Sequence, residues 1–357
     1  METQKQIKPV QGFELDTSMV ELDQPTVEAV VTNVEYGGRN MAVAFVDNRE
    51  KLADSDEMIG PTIIWLQSYR ARMEPSETQR LVTIAQQLRK AGKPVRVASV
   101  ELPGMGINED SNATFWQKIN LLRGNFDGLS NDMLFALNKV LKFKDGEKVE
   151  FALFSQGAVL GAYVIEDLQN KAFGINVKIP KVTIFEEVND KRLNLNLAKI
   201  GDEIELKDKK TNEVTHSFVD SYLEDNSAFP WLVNPWDKTL DFKERQNNLD
   251  VKQKGMINLG AIGLLTASFP AVYERALKAK GDTGIENADI RIVKLADSKV
   301  SSYSGNIDTL KRIKNLMVSG HVGLTLVTAV EGREKLTHIA ATTSMLNMAA
   351  LTNKFLK

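Results

Sequence analysis

The chain has 357 residues, a length that suits one large α/β domain with an insertion, and its 43% hydrophobic and 26% charged fractions are those of an ordinary globular protein. The 45 Lys and Arg residues nearly balance 47 Asp and Glu residues, and a net charge of −2 favours neither nucleic acid nor an anionic membrane as a partner. The absence of cysteine excludes disulfides, thiolate catalysis and cysteine-based metal sites.

Residues 1–24 are polar and show no secretory signal, so we expect a loosely attached N-terminal extension. The longest apolar-looking stretch, 256–273, contains Asn258, Gly260 and Pro270, which weaken any claim to a membrane span. We interpret it as a buried or lid-lining helix. The sequence therefore predicts a soluble, cytoplasmic protein without stable membrane insertion.

Strand-like and helix-like patterns alternate through the first half of the chain. Short apolar runs indicate buried strands, and apolar residues at helical spacing indicate helices. The predicted elements are a hairpin turning at Gly37 and Gly38, a strand at 61–66, a helix that Ser76 caps and Gly92 ends, a strand at 95–102, and helical periodicity over 112–143.

Ser155 stands between a β-rich run at 149–154 and a helix predicted from about 158 to 168. A serine on a sharp strand-to-helix turn can present its hydroxyl above the edge of a sheet, beside the N–H groups that begin the helix. The pattern therefore predicts a serine nucleophile. The alternative is that Ser155 only caps the helix.

The alternation continues after a break. A strand ends at Glu187, residues 188–255 look like an insertion, and the rhythm returns with a helix over 256–279. A strand over 288–297, a helix over 306–314, a strand over 315–321 and a terminal helix from about 333 follow. This order predicts a parallel sheet covered on both faces. We assign 25–187 and 256–357 to a core and 188–255 to a cap.

A serine hydroxyl needs a base within hydrogen-bond reach and an acid that orients that base. Asp297 ends one late predicted strand and His321 ends the next, which gives the order Ser, Asp, His. Glu187 or Asp190 could supply the acid from an earlier strand end. The remaining histidines, which we interpret as structural or solvated, are His216 and His338.

Four of these features together resemble the α/β-hydrolase superfamily, over nearly all of the chain outside 1–25 and the insertion. The segment 153–158 is similar to the family's nucleophile elbow, and 101–108 (ELPGMGIN) resembles its Asp-x-Pro-Gly-x-Gly-x-Ser loop. Asp297 matches the late acid turn, and Gly320-His321 the closing Gly-His.

The resemblance implies an α/β-hydrolase fold with a mostly parallel central sheet, flanking helices and a cap. It implies Ser155 as nucleophile, His321 as base and Asp297 as acid. By position, the backbone N–H groups of Gln156 and Tyr69 would form the oxyanion hole.

Three positions depart from the family's pattern. Leu153 stands where a small residue is usual, and its side chain is expected to strain the turn or alter the approach of the helix. The loop at 67–69 lacks the usual His-Gly, and Lys294 replaces a common glycine. Leu153 and the missing His-Gly favour a second hypothesis, a hydrolase-fold protein that binds a ligand or partner without turnover.

The first hypothesis is a serine hydrolase acting on an ester, thioester or similar acyl bond of a small molecule. The Met-, Leu- and Ala-rich helix near the cap favours an apolar substrate arm, and the chemistry requires no metal or organic cofactor. Aromatic residues of the insertion, Phe229, Trp231 and Trp236, form either its own small core or the roof of an acyl pocket. A third hypothesis keeps the triad but transfers the acyl group to an alcohol or amine.

Overall fold

The structure is a computed structural model that describes most of the predicted core and three strands of the predicted cap. The described residues are 11–18, 20–22, 26–51, 58–66, 77–101, 113–186, 193–199, 203–208, 214–217, 267, 269–279, 281–297, 303–330 and 345–357.

Fifteen strands lie within these residues. In chain order they are β1 (Gln11–Leu15), β2 (Val30–Tyr36), β3 (Arg39–Asp47), β4 (Glu50–Lys51), β5 (Met58–Ile59), β6 (Thr62–Leu66), β7 (Arg96–Val100), β8 (Glu147–Phe154), β9 (Val177–Lys178), β10 (Lys181–Phe185), β11 (Leu193–Lys199), β12 (Glu203–Asp208), β13 (Val214–Ser217), β14 (Asp289–Leu295) and β15 (Val322–Ala329).

The main sheet is mostly parallel, as the sequence predicts. Its strands follow the order β1-β15-β14-β10-β8-β6-β7-β3-β2, and β9 pairs with the first residues of β8. Every neighbouring pair from β1 to β7 is parallel, whereas β3 runs antiparallel to both β7 and β2. The carboxyl ends of the parallel strands therefore meet at one edge of the sheet, the carboxyl edge, and their first residues meet at the opposite amino edge.

Helices cover both faces of this sheet. One hydrophobic core contains buried residues of α1 and α7, and the other contains buried residues of α2 to α6. The helices are α1 (Thr78–Lys90), α2 (Phe115–Leu122), α3 (Asp127–Leu141), α4 (Gln156–Gln169), α5 (Phe269–Lys278), α6 (Tyr303–Leu316) and α7 (Met345–Phe355), with short 3₁₀ turns at Ala172–Gly174 and Ile285–Asn287.

The central strand β8 is buried on both faces. Phe151 and Leu153 belong to the core under α4, while Ala152 and Phe154 belong to the core under α1 and α7. Apolar residues on both sides of a strand are typical of parallel sheets that have helices on each face. This burial fixes the direction in which β8 delivers the chain to residue 155.

The N-terminal residues differ from the sequence-based expectation. The sequence predicts that residues 11–15 belong to a loosely attached extension, but β1 pairs in parallel with β15 at the edge of the sheet. Phe13 packs edge-on against Phe355, with ring centroids 5.8 Å apart, and Leu15 is buried. The sequence feature that indicates this strand is the alternation of apolar Phe13 and Leu15 around polar Glu14. This alternation is too short to predict a strand by itself.

The strand predicted at 315–321 is wrong. Helix α6 continues to Leu316, and the last strand of the sheet is β15, which begins at Val322. Ile313 and Met317 extend the apolar face of the helix at helical spacing, so the leucine and methionine of this segment pack with α6. The β-rich run VGLTLVTA was the true strand signal.

Other predicted elements appear with shifted bounds. The glycine hairpin is confirmed between β2 and β3, where Gly37 and Gly38 have φ values of 58° and 74°. The predicted N-cap Ser76 lies outside the described residues, and Glu77 precedes the first residue of α1. Of the predicted helix over 256–279, the structure describes α5, and α7 is the described part of the predicted terminal helix.

Three strands fall in the region assigned to the cap. β11, β12 and β13 form a small antiparallel sheet in that order. The rest of 188–255, including Phe229, Trp231 and Trp236, lies outside the described residues. None of the helices in the described part of the chain combines the length and the apolar character needed to cross a membrane.

Candidate active site

Ser155 is the residue at which β8 becomes α4, with no loop between strand and helix. Its φ of 53° and ψ of −116° lie where residues with a side chain are rarely found. Such a conformation costs on the order of 1–3 kcal/mol and persists only where the surrounding structure imposes it. Here the Ser155 N–H donates to the Phe185 carbonyl at 3.0 Å, which ties the turn to the neighbouring strand.

The side chain of Ser155 does not cap α4. No hydrogen bond joins the Ser155 hydroxyl to the first N–H groups of the helix, although the residue occupies the N-cap position. The Ser155 carbonyl instead accepts from the Ala158 N–H at 3.0 Å. The first N–H groups of a helix have no partner within the helix, so the Gln156 N–H begins α4 as a donor directly beside the serine.

Leu153 fits beneath α4 because the helix carries a glycine opposite it. A Cβ atom built on Gly161 would lie 2.4 Å from Leu153 Cδ2 and 2.5 Å from Cδ1. Leu153 itself is fully buried in the core. The small residue expected in the strand is thus missing here, but a small residue in the facing helix provides space for Leu153. The glycine at position 161 therefore leaves room for the Leu153 side chain.

Carboxyl side chains lie at the same edge of the sheet as Ser155. Glu101 follows β7, Glu186 follows β10, and Asp297 comes two residues after β14. Glu101 and Glu186 are buried, whereas Asp297 is exposed. Because β10 pairs with both β8 and β14, Ser155 and Asp297 leave strands that are separated by one strand.

His321 does not join this set. It directly precedes β15, and its carbonyl accepts from the Ile290 N–H at the start of β14, so it lies at the amino edge. Eight residues of β15 run from this point to the carboxyl edge, a distance of about 25 Å at the rise of a strand. The prediction of His321 as the base for Ser155 is therefore wrong.

The Gly320-His321 pair has a packing explanation. A Cβ atom on Gly320 would lie 2.2 Å from the Ala288 carbonyl oxygen, so only glycine allows this close approach of the two backbones. The glycine brings the chain against the residue that precedes β14, and His321 then begins the pairing of β15. Similarity to a family motif pointed to this pair, but the direction of β15 excludes the catalytic role.

The other histidines and several predicted site residues are placed as follows. His216 belongs to β13 of the small sheet. His338, nine positions after the end of β15 in the sequence, lies outside the described residues, as do the alternative acids Glu187 and Asp190. Tyr69 and residues 102–108 of the proline-glycine motif are likewise outside them.

A buried ion pair lies at the start of α1. Glu77 is buried at the start of α1, and its Oε2 accepts from Arg80 Nη1 at 3.1 Å. Burial raises the pKa of the Glu77 carboxyl to about 7, although the nearby Arg80 charge lowers it. Sequence reasoning missed this pair, because an i,i+3 Glu and Arg normally indicate a solvated helix face.

A cavity of about 640 Å³ lies at the amino edge, away from Ser155. Arg96 and Arg49 both donate to Glu147 Oε1 there, at 2.7 Å and 3.2 Å, and Arg49 also pairs with Asp47 at 2.8 Å, so two cations lie beside two carboxylates. We therefore interpret this network of ion pairs as structural, holding together the amino edge of the sheet. Within the described ranges, no group of three or more His, Asp or Glu side chains is placed to hold a metal ion.

Known structures share this fold. The chain is similar to a 2-hydroxy-6-oxo-6-phenylhexa-2,4-dienoate hydrolase from Rhodococcus sp. strain RHA1, with a TM-score of 0.51 at 11% identity over 93% of this chain and 99% of that one. A candidate lipase from Acinetobacter baumannii AYE gives a TM-score of 0.50 at 11% identity, over 92% of this chain and 89% of that one. No protein-family model and no curated protein matches the sequence. The strand order and these similarities show that the chain has the α/β-hydrolase fold.

Proposed function

We propose that the protein is a serine hydrolase that cleaves an ester, thioester or similar acyl bond of a small molecule. The observation that carries the proposal is the backbone of Ser155, which is strained at a strand-to-helix junction without the side chain capping the helix. A structural serine would not need this conformation, because helix capping uses ordinary extended dihedrals. The two solved structures named above are a hydrolase and a candidate lipase, which agrees with the proposal.

In the proposed reaction Ser155 Oγ attacks the acyl carbon, and the base takes the hydroxyl proton and passes it to the leaving group. Water then attacks the acyl-serine and releases the acid. The Gln156 N–H would stabilise the oxyanion from the start of α4, and Tyr69 is the proposed source of a second donor. Asp297 would orient the base.

For the base we propose His338 in place of His321. Strand β15 delivers the chain to the carboxyl edge, the edge at which Ser155 lies, and His338 is the next histidine in the sequence. The assignment rests on the direction of β15 and on sequence order. It also keeps the order Ser, Asp, His that the resemblance implies.

The alternative of a binding protein loses one of its two supports. The expectation that Leu153 crowds the turn favours a binding protein, but Gly161 makes room for this side chain. The proposed division into a core and a cap at 188–255 remains part of the serine hydrolase proposal, with an apolar acyl group under the cap. Acyl transfer would use the same residues, and it is distinguished by the product formed when an alcohol is added.

The test is covalent labelling with a fluorophosphonate probe, which reacts with activated serines. We expect an adduct on Ser155 in the wild-type protein and none in Ser155→Ala. His338→Gln should label at least about 100-fold more slowly, since the general base is lost. His321→Gln is the matched control and should label at the wild-type rate.

Two results would reject parts of this scheme. A folded wild-type protein that does not label at Ser155 excludes the serine hydrolase. Loss of labelling in His321→Gln with retention in His338→Gln excludes the assignment of the base. The unlabelled protein can then be assayed on p-nitrophenyl esters of increasing chain length, where a preference for longer acyl groups supports the apolar pocket.

A further inference from the structure

Leu295 lies two residues before Asp297, and its backbone N–H and its backbone carbonyl are each hydrogen-bonded by a side chain of an ionisable residue. Its N–H donates to Glu186 Oε1 at 2.5 Å, and its carbonyl accepts from Lys294 Nζ at 2.9 Å. Glu186 is 0% exposed and Lys294 is 7% exposed. Buried charged groups form strong hydrogen bonds, so these two contacts fix the end of β14 firmly.

Glu186 adopts a backbone conformation that would suit glycine. Its φ is 54°, close to the value of 53° at Ser155 on the neighbouring strand end. A glycine at this position would avoid the strain that a side chain causes. A strained and buried glutamate favours a need for the carboxyl group itself, and one observed use of that group is the bond to the Leu295 N–H.

The end of β10 lies between the two strand ends that carry the proposed nucleophile and acid, and it is hydrogen-bonded to both. The Ser155 N–H donates to the Phe185 carbonyl, and the Glu186 N–H, one residue later, donates to the Val293 carbonyl at 2.9 Å. The Glu186 side chain then reaches Leu295 on the same strand. Beyond this point the Ala296 N–H donates to Val327 of β15 at 2.8 Å, so the turn to Asp297 starts from a fully paired strand end.

We propose that Glu186 and Lys294 are positioning residues that hold the Asp297 turn in register with Ser155. The proposal rests on the proposed function, because the geometry that it protects is that of a catalytic acid. The proposal also gives Lys294 a role. This lysine stands where a glycine is common in the resembled motif, and its Nζ donates to the Leu295 carbonyl. A competing possibility is that Glu186 is itself the acid of the triad.

Substitutions that separate charge from hydrogen bonding distinguish these roles. Glu186→Gln keeps an oxygen that accepts from the Leu295 N–H, whereas Glu186→Leu removes it at similar size. We expect Glu186→Gln to retain kcat within about 3-fold, and Glu186→Leu to lower kcat by about 10- to 100-fold with little change in KM, since misplacement by about 1 Å costs on that order. Asp297→Asn should lower kcat by about 1,000-fold or more.

Lys294→Met removes the second contact at similar length and is expected to lower kcat by about 10-fold, as the loss of one hydrogen bond does. Hydrogen exchange at the Leu295 amide gives a readout independent of turnover. Exchange should be slow in wild type and Glu186→Gln, and at least about 10-fold faster in Glu186→Leu.

The outcomes are separable. If wild type labels at Ser155 and Glu186→Leu keeps wild-type kcat and slow exchange, the positioning role is rejected. If Glu186→Gln loses as much kcat as Glu186→Leu while Asp297→Asn remains active, Glu186 is the acid and the positioning role is also rejected. If wild type does not label at Ser155, the proposed function fails first, and the inference fails with it.

Discussion

Ser155 and Glu186 show what a single residue contributes and what a sequence reveals about it. The motif around Ser155 predicted the nucleophile from the strand, the serine and the following helix. The positive φ at Glu186 has no comparable signal, because a glutamate after a β-rich run looks like an ordinary strand end. Sequence reasoning therefore named neighbours of this residue as alternative acids and missed Glu186 itself.

Glu77 leads to a prediction about stability and pH. Burial raises its folded-state pKa to about 7, whereas its ordinary value is 4.5. Between these values the folded protein holds a proton that the unfolded chain has released, so stability falls as pH rises through this window. The loss is roughly 3 kcal/mol by pH 7, from a shift of about 2.5 pH units at about 1.4 kcal/mol each.

The measurement is the free energy of unfolding in urea at pH 5, 6 and 7 for wild type and Glu77→Gln. Glutamine resembles the protonated acid and does not titrate, so the variant should lack this decline. Glu50→Gln, on an exposed residue, is the control and should follow wild type. Parallel curves for wild type and Glu77→Gln would show that Glu77 is ionised throughout.

At the level of elements, the junction of β8 and α4 depends on a pair of residues whose sizes complement each other. From the sequence alone Leu153 looks unfavourable in the turn, because the facing residue of the helix is not known. The contact with Gly161 joins positions eight apart, across a strand and a helix, which periodicity alone does not pair. The same limit explains the misplaced strand at 315–321, where the apolar residues belong to the face of α6.

This contact predicts strong coupling between residues 153 and 161. Gly161→Ala would stabilise an exposed helix but here forces a methyl group against Leu153, at a cost of about 1–3 kcal/mol. Leu153→Ala should cost about 2–5 kcal/mol through the cavity that it leaves. In the double variant the added methyl occupies part of that cavity, so the combined loss should be smaller than the sum by about 0.5–3 kcal/mol.

Urea unfolding of the wild type, both single variants and the double variant completes the cycle. Additive losses would mean that the two side chains do not share this space. The cycle measures coupling in the free energy of unfolding. The rate of Ser155 labelling in each folded variant shows separately whether the position of Ser155 depends on the contact between Leu153 and Gly161.

At the level of the whole molecule, the alternation of strands and helices predicted a parallel sheet covered on both faces, but it did not predict the outer edge of that sheet. β1 is formed by the start of the chain and pairs with β15, more than 300 residues later, at the edge covered by α7. A five-residue segment with two apolar side chains is too short a pattern to predict that it pairs with a strand so far away in the sequence. The direction of β15 also decides which histidine can act as the base for Ser155. The strand that pairs with β1 therefore also determines the composition of the proposed site.

The first and last elements should therefore stabilise each other. The ring of Phe13 lies 5.8 Å from that of Phe355, and Lys354 Nζ lies 4.4 Å from the centre of the Phe13 ring. Deleting residues 1–15 removes these contacts and exposes the unpaired edge of β15. We expect a lower urea midpoint and association that increases with protein concentration, because an open strand edge pairs with other chains.

Leu15→Ala should reproduce the loss of stability, by about 2–3 kcal/mol, without the association. Glu14→Ala, on the exposed side of the strand, should change stability by less than about 0.5 kcal/mol. An unchanged midpoint and a monomeric truncated protein would mean that β1 contributes nothing to the sheet.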